Sequence, residues 1–277
     1  MYEAFYGLRE KPFSILPDPS LIYWGKAHQL AFAVLEFGVM NSAGFTVITG
    51  EIGSGKTTLV RYLLRKIAGN VNVGLISNTP ENRQEMLEAI LMSLDQPFEG
   101  GYSSLFHRFQ QYLRTQHSAG RKTILIIDEA QNLQPNALES LRMLSNINAD
   151  KDQFLQLIIV GQPQLKDLLS SPQLAQFAQR VSADFHLRSL SPPEVQQYIE
   201  HRLAAVGARH PLFSPEACAL IAEASRGIPR SINILCDTAL IYGYSNESAV
   251  ITRGIVEDVI THKRTLGVFG QPQAVSG

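Results

Sequence analysis

The sequence predicts an α/β fold in which a parallel sheet flanked by helices is followed by a small all-helical domain. Short, mainly apolar runs alternate with helical patterns up to about residue 190, which is typical of strands buried on both faces of a parallel sheet. After Pro192 the apolar residues recur with helical spacing only. These patterns predict an α/β domain over residues 1–190, a helical domain over 191–265 and a flexible tail over 266–277.

The individual elements follow from the same patterns. Residues 1–26 are expected to be irregular, because Pro12, Pro17 and Pro19 interrupt any regular spacing. The apolar runs predict strands over 45–49, 71–77, 123–127, 155–160 and 183–187. Helical spacing predicts helices over 27–40, 56–68, 81–95, 103–117 and 135–147, and in the last domain near 193–206, 215–225, 229–243 and 252–264.

The composition is that of an ordinary globular protein. Of the 277 residues, 45% are hydrophobic and 18% are charged, and the formal net charge is −1. With 20 Gly and 14 Pro the chain is neither collagen-like nor of low complexity, and it is long enough to bury a core without a disulfide or metal. Disordered, fibrous and disulfide-scaffold proteins are therefore excluded. The charge also disfavours a uniformly basic polyanion binder, although a local basic patch remains compatible with it.

The cysteines and the N-terminus indicate an intracellular protein. Cys218 and Cys236 lie within apolar helical patterns, which favours buried free thiols over a redox pair. The first residues include Glu3 and Glu10 and lack the basic start and apolar core of a secretory signal. Because no stretch is apolar for long enough to span a bilayer, we expect a soluble, cytoplasmic chain.

A glycine-rich stretch, Gly50-Glu-Ile-Gly-Ser-Gly-Lys-Thr57, lies between a predicted strand and a predicted helix. It matches the Walker A pattern of a phosphate-binding P-loop. Its glycines allow successive backbone N–H groups to face phosphate oxygens, and the helix adds its positive N-terminal end. We expect Lys56 to reach the β- and γ-phosphates and the Thr57 hydroxyl to bind Mg²⁺. The predicted nucleotide-binding residues of the loop are Gly50, Glu51, Ile52, Gly53, Ser54, Gly55, Lys56, Thr57 and Thr58.

Two carboxylates, Asp128 and Glu129, end the predicted strand 123–127. A carboxylate at the tip of a buried strand can face a metal held by the P-loop, so Thr57 and Asp128 are the predicted Mg²⁺ ligands. Glu129 can polarise the attacking water as a general base. The two motifs together predict ATP hydrolysis with Mg²⁺ rather than nucleotide binding alone.

The P-loop, the acidic strand end and the helical C-terminal part resemble AAA+ ATPases. Over about residues 1–265 the sequence looks more closely like the general secretion pathway protein A (ExeA-type) family. The segments that carry this resemblance are Met1-Tyr-Glu-Ala-Phe-Tyr-Gly-Leu-Arg9, Pro12-Phe13, Pro17-Asp18-Pro19, His28, Gly44-Phe-Thr-Val-Ile-Thr-Gly50, Asp128-Glu-Ala-Gln131 and Gly161-Gln-Pro163. The resemblance implies the P-loop NTPase fold of AAA+ proteins, with a helical lid and with ATP and Mg²⁺ as cofactors.

The resemblance also implies roles for further residues. Arg180 stands where AAA+ proteins place an arginine that reaches the ATP of a neighbouring subunit. Arg230 corresponds to the sensor 2 arginine of the lid, and a bound anion would explain a cation at the start of a helix. Gln162 occupies the sensor 1 position after the fourth strand. The predicted catalytic residues are thus Glu129, Lys56, Arg180, Gln162 and Arg230, of which Arg230 also binds nucleotide.

Some assignments stay open. Asn78 fits the place of a residue that restrains the catalytic glutamate without nucleotide, and it fits a simple turn equally well. Tyr23, Trp24 and His28 lie where AAA+ proteins build part of the adenine pocket, but core packing explains the Tyr and Trp as well. The remaining histidines show no metal-binding spacing, so we expect none of them to bind a metal.

Three functions are compatible with these residues. The leading hypothesis is an ATP-hydrolysing protein that self-associates into a ring or filament. By resemblance, it drives assembly or remodelling in secretion, envelope polysaccharide or pilus systems, with a protein partner there and with membrane contact only through parts outside this chain. Its location would then be cytoplasmic or peripheral to the inner membrane. The second is a DNA-binding ATPase similar to transposition regulators, with Arg61, Arg65 and Lys66 as a basic patch. The third, a nucleotide-gated adaptor with little hydrolysis, is disfavoured by Glu129.

Overall fold

A computed structural model describes residues 1–40, 44–67, 69, 71–78, 80–148 and 154–265. Contacts divide the chain into two compact units. The sheet unit comprises Lys26–Ile52 and Lys56–Leu187, and the helical unit comprises Met1–Gly25, Gly53–Gly55 and the chain from Arg188 onward. The predicted tail, 266–277, lies outside the described residues.

The elements follow one another in an order close to the predicted one. The strands are β1 (Phe45–Gly50), β2 (Val71–Ile76), β3 (Lys122–Ile127), β4 (Leu155–Gly161) and β5 (Val181–Leu187). The helices are α1 (Tyr2–Phe5), α2 (Lys26–Met40), α3 (Lys56–Ile67), α4 (Arg83–Ser93), α5 (Tyr102–Ser118), α6 (Pro135–Ser145), α7 (Gln164–Leu169), α8 (Ala175–Ala178), α9 (Pro192–Ala205), α10 (Pro215–Ser225), α11 (Pro229–Ser245) and α12 (Arg253–Thr265).

The sheet unit is built on a parallel sheet, as the sequence predicts. Its strand order is β2-β3-β4-β1-β5, and every pairing is parallel. Every residue of β1 and β4 is buried, and so is every residue of β3 except Lys122. Because the strands run the same way, the ends of β1, β3 and β4 meet at one edge. That carboxyl edge is where open α/β sheets bind their ligands.

Short elements and an edge strand depart from the sequence expectation. α7 and α8 have only 6 and 4 residues, too few to produce a helical period. β5 begins at Val181, two residues before the predicted start, and pairs within the sheet with β1 alone. Its residues are mostly half-buried or exposed in alternation, so its beginning lacks the apolar run that marks the central strands.

The helical unit contains α1 and α9 to α12. The helices α9, α10 and α11 each have Pro in the first turn, where a missing N–H costs no hydrogen bond. Ser191 and Glu194 form a capping box that starts α9. Cys218 and Cys236 are free and buried here, as expected, and burial raises the pKa of the Cys218 thiol to about 11.

The N-terminal residues contain two short helical pieces, α1 and a 3-10 turn over Pro19–Leu21. The rest of residues 1–25 is irregular, as expected. Tyr2 and Phe13 are buried in the core of the helical unit. Arg202 Nε donates to the carbonyl oxygen of Pro12 at 2.6 Å. The contacts thus group residues 1–25 with the helical unit, whereas the predicted division places them in the α/β domain. The division into domains itself stays a prediction.

None of the helices in the described part of the chain has both the length and the hydropathy needed to cross a bilayer.

Candidate nucleotide site

The P-loop joins β1 to α3. Gly53 and Gly55 have φ angles of 80° and 102°, a conformation that residues with a side chain rarely adopt. Gly50, in contrast, is the last residue of β1 and belongs to the sheet. Because α3 begins at Lys56, its first-turn N–H groups and the positive end of its dipole lie directly after the loop. The local backbone therefore has the form of an anion site.

Lys56 is held inside this loop. Its side chain is only 7% exposed, and Nζ donates to the carbonyl oxygens of Gly50 at 2.7 Å and Glu51 at 2.9 Å. Burial lowers the pKa of the Lys56 ammonium, while the carboxylates of Glu129, Asp128 and Glu51 act in the opposite direction. The ammonium is thus a partly desolvated cation, which interacts strongly with a phosphate that excludes the remaining water.

The two predicted metal ligands lie in contact, although they are 71 positions apart in the sequence. Thr57 Oγ1 donates to Asp128 Oδ2 at 3.2 Å. The backbone N–H of Asp128 donates to the carbonyl oxygen of Ile76 at 2.9 Å, and this bond holds Asp128 beside the end of β2. A hydroxyl and a carboxylate are hard oxygen ligands of the kind that Mg²⁺ takes in nucleotide sites, so these residues fit the ion. In the described part of the chain, no group of three or more His, Cys, Asp or Glu residues forms another metal site.

Glu129 follows Asp128 with a left-handed backbone, at φ 53° and ψ 35°. Its Oε2 accepts hydrogen bonds from Gln131 Nε2 at 2.7 Å and from Gln162 Nε2 at 3.1 Å. The Gln131 hydrogen bond lowers the pKa of Glu129 most, and the Gln162 bond and the Lys56 charge lower it further, against the opposing effect of partial burial. The group is thus held as a carboxylate beside the Lys56 ammonium.

Gln162 lies directly after β4, where the sequence predicts the sensor 1 residue, and its side chain contacts Glu129. Sequence reasoning assigned no role to Gln131, although this residue ends the segment Asp128-Glu-Ala-Gln131 that carries part of the family resemblance. Gln131 Oε1 accepts the backbone N–H of Gln162 at 2.9 Å. Asn78, the candidate restraint on Glu129, supplies neither of the hydrogen bonds recorded on that carboxylate.

Arg180 does not join these residues. It precedes β5, whose first residue pairs with Phe45 at the beginning of β1, whereas Gly50 pairs with the last residue of β5. A strand rises about 3.3 Å per residue, so the length of β1, roughly 16 Å, separates Arg180 from the P-loop end of the sheet. Its side chain is exposed, and Nη2 donates to Asn146 Oδ1 at 2.7 Å.

Arg230 is the second residue of α11 and is exposed. Its backbone N–H donates to the carbonyl oxygen of Gly53 at 3.1 Å. A Cβ on Gly53 would lie 2.5 Å from the Arg230 Cβ, so this close approach requires glycine at position 53. The P-loop residue Gly53 and the predicted sensor 2 arginine are therefore in direct contact within the helical unit.

The remaining candidates have contacts of their own. In the loop, Ile52 is exposed, Ser54 is buried and Thr58 is half-buried. Tyr23 donates its hydroxyl hydrogen to Gln197 Oε1 at 2.7 Å, and its ring packs edge-on against Tyr198 and His201. These contacts are those of a packed residue, and an adenine-binding role for Tyr23 stays a prediction.

The basic stretch on α3 is partly neutralised. Lys66 forms an ion pair with Glu36 at 2.6 Å, and its ammonium lies 5.2 Å from the ring centre of Phe32. Arg61 and Arg65 are exposed. The stretch therefore offers two exposed guanidinium groups rather than the three-residue patch that the sequence suggests.

Comparisons with known proteins agree with this geometry. Residues 39–169 match the family described as the AAA domain. Over 256 residues the chain is 38% identical to the general secretion pathway protein A of Aeromonas hydrophila. The matched region covers 92% of this chain and 47% of that protein. The chain thus spans about half the length of the curated relative it matches. The resemblance predicted from the sequence is confirmed.

Solved structures show the same fold. Cdc6p from Pyrobaculum aerophilum matches with a TM-score of 0.66 and 17% identity, covering 85% of this chain and 68% of that one. The Aeropyrum pernix ORC1 protein, solved in complex with DNA, matches with a TM-score of 0.65 and 18% identity, covering 92% and 70%. At such identities the likeness concerns the fold alone, and it confirms the predicted fold class.

Proposed function

We propose that this chain, which carries an AAA domain and the fold of AAA+ ATPases, binds ATP with Mg²⁺ at the P-loop and hydrolyses it. The observation that carries the proposal is the 3.2 Å hydrogen bond from Thr57 to Asp128. This bond joins two oxygen ligands from distant parts of the chain next to the buried Lys56 ammonium. A nucleotide-metal site needs both the P-loop, which contains Thr57, and the acidic strand end, which contains Asp128.

The chemistry assigns one task to each group. The loop amides and Lys56 bind the phosphates, and Thr57 and Asp128 hold Mg²⁺. When bound, the ion offsets the negative charge of the phosphate oxygens. Glu129 accepts a proton from the attacking water, which makes that water a better nucleophile. Arg230, in contact with Gly53, adds a cation from α11 to the loop.

The position of Arg180 supports self-association. An arginine at the amino edge of the sheet cannot reach the P-loop at the carboxyl edge of its own chain. It can be supplied to a neighbouring copy, as the resemblance to AAA+ proteins implies. An arginine finger is worth about 10³–10⁵ in rate in GTPases, so a monomer that lacks one hydrolyses slowly. We therefore propose that the active form is a ring or filament.

The relative's name supports a role in secretion. We propose that hydrolysis drives the assembly or remodelling of a secretion or envelope-assembly partner, from the cytoplasm or the inner-membrane periphery. This part of the proposal rests on 38% identity to about half of the relative's length. The DNA-binding alternative has weaker support, because Lys66 is paired with Glu36.

Steady-state phosphate release measured against protein concentration, with Mg²⁺ and with a chelator, tests the proposal. We expect turnover that requires Mg²⁺ and rises in specific activity as the chain associates. ATP binding without turnover at any concentration would support the nucleotide-gated adaptor instead. Duplex DNA binding that weakens steeply with salt would support the regulator hypothesis.

A further inference from the structure

The amide of Gln131 connects the ends of two strands. Its Nε2 donates to Glu129 Oε2 at 2.7 Å, just after β3, and its Oε1 accepts the backbone N–H of Gln162 at 2.9 Å, just after β4. A neutral amide has one donor end and one acceptor end. Only one orientation of the amide satisfies both bonds, because a carboxylate cannot donate and an N–H cannot accept.

The backbone around the amide is shaped for this contact. A Cβ on Gly161 would lie 3.0 Å from Gln131 Oε1 and 2.7 Å from a Leu165 methyl carbon, so a larger residue there would push against the amide. Glu129 itself has a positive φ, which is unfavourable for a residue with a side chain, and its N–H donates to Asp128 Oδ1 at 2.9 Å. The carboxylate is therefore presented from a backbone with little freedom.

The hydrogen bonds on Glu129 are unequally shared between its two oxygens. Both recorded donors, Gln131 and Gln162, bind Oε2. The proton of an attacking water must then go to Oε1, whose position is set by the anchored Oε2. General-base catalysis requires the base within hydrogen-bond reach of the proton it takes, so the anchoring controls the rate.

We propose that Gln131 is a positioning residue that aims Glu129 at the attacking water, with the support of Gln162 rather than of Asn78. The proposal rests on the function proposed above. The hydrogen bonds of the Gln131 amide go to the Glu129 carboxylate and to the Gln162 backbone, so we expect it to act on the position of the base and not on nucleotide binding. Replacing it should therefore lower kcat and leave nucleotide affinity intact.

The primary test compares Gln131→Met with Gln134→Met by steady-state kinetics and calorimetric ATP titration. Methionine has nearly the size of glutamine but cannot make either hydrogen bond. We expect kcat to fall about 10- to 100-fold, with KM and ATP affinity within about twofold of the parent. Gln134 is exposed, and no side-chain bond caps α6 at that position, so Gln134→Met should match the parent.

A double-variant cycle tests whether Gln131 acts through Glu129. In the Glu129→Gln background, adding Gln131→Met should change the residual rate by less than about twofold, since the positioned base is already absent. Gln131→Glu keeps an acceptor for the Gln162 N–H but cannot donate as a carboxylate. It should lose at least as much kcat as Gln131→Met, and it provides the answer if the methionine variant folds poorly.

Several results would overturn the proposal. Parental or raised kcat in folded Gln131→Met and Gln131→Glu would show that the amide is irrelevant or restraining. Equal losses in rate and ATP affinity, or a full further loss in the Glu129→Gln background, would indicate a general structural role. A parent chain that binds ATP without hydrolysing it overturns the proposed function as well, whereas failure of the glutamine variants in a hydrolysing parent overturns only this inference.

Discussion

The two edges of the sheet differ in how they hold their functional groups. At the carboxyl edge, hydrogen bonds of 2.7 to 3.2 Å link Thr57 to Asp128 and connect Glu129, Gln131 and Gln162. At the amino edge, Arg180 is exposed and bonded to the neutral amide of Asn146. Under the proposed function, the residues that bind one nucleotide lie at one edge of the sheet, and the arginine lies at the other edge, where it is available to a neighbouring copy.

The free-energy cost of losing a functional group is larger at the carboxyl edge than at the amino edge. Lys56 is partly desolvated, and the carboxylates of Glu129, Asp128 and Glu51 act on its charge, so removing it leaves their negative charge without this cation. The bond from Arg180 to Asn146 is exposed to water, and the net worth of such a hydrogen bond is about 1 kcal/mol. If the proposed self-association holds, Arg180 would lose little stabilisation by exchanging Asn146 for a phosphate of another subunit.

The largest effect is expected at the carboxyl edge from Lys56→Ala. Loss of the buried cation should abolish tight ATP binding and with it measurable hydrolysis, because the phosphates lose a charge-assisted contact and the nearby carboxylates then repel them. A calorimetric titration measures the affinity. Lys66→Ala, on the same helix but exposed and paired with Glu36, serves as the control and should keep parental affinity. Undiminished binding by Lys56→Ala would contradict the P-loop assignment.

The next largest effect is expected at the amino edge from Arg180→Ala. If the arginine is supplied to a neighbour, specific activity should no longer rise with protein concentration. At saturation the specific activity should be about 10³-fold below that of the parent. ATP binding by the monomer should stay near normal, because the loop and Lys56 belong to the same chain. Arg114→Ala, at an exposed arginine of α5, provides the comparison and should retain the rise. A concentration dependence as steep as the parent's would refute the role of Arg180.

A comparable loss of hydrolysis is expected from Glu129→Gln. The amide keeps the shape of the side chain but cannot take a proton, so hydrolysis should fall by about 10²–10⁴ while ATP binding persists. Parallel measurements of phosphate release and nucleotide affinity separate the two effects. Turnover at the parental rate would exclude Glu129 as the base.

Mixing these two variants tests whether the edges of different subunits meet. Arg180→Ala has an intact Glu129, and Glu129→Gln has an intact arginine, so neighbours of the two kinds can form one complete site. Activity recovered on mixing supports a shared site. If light scattering shows co-assembly and no activity returns, Arg180 is not supplied to a neighbour's site and only supports the fold.

The smallest effect is expected from Asn146→Ala, which removes the partner of Arg180 in its own chain. The bond is exposed, so the free energy of unfolding should change by less than about 1 kcal/mol and the rate by less than about threefold. Denaturant unfolding and phosphate release provide the two values. A large loss of rate would mean that Asn146 aims the arginine and that the amino edge is as preorganised as the carboxyl edge.

Features that depend on local sequence pattern were predictable without the structure. The central strands β1, β3 and β4 were predictable because burial on both faces requires nearly continuous apolar runs. The P-loop was predictable because Gly53 and Gly55 need a positive φ that glycine adopts freely. Asp128 and Glu129 followed from their place after a buried strand. Each of these signals lies within a few neighbouring residues.

Contacts between residues that are distant in the sequence were not predictable from local pattern. Tyr2 and Phe13 lie in a segment without a helical or strand period, so the sequence does not show that they join the core of the helical unit. The bridge from Gln131 to Gln162 exists because β3 and β4 are neighbours, and Arg180 is far from the P-loop because β5 runs parallel to β1. Periodicity encodes which face of an element is apolar, whereas the pairing of elements depends on packing between segments far apart in the chain.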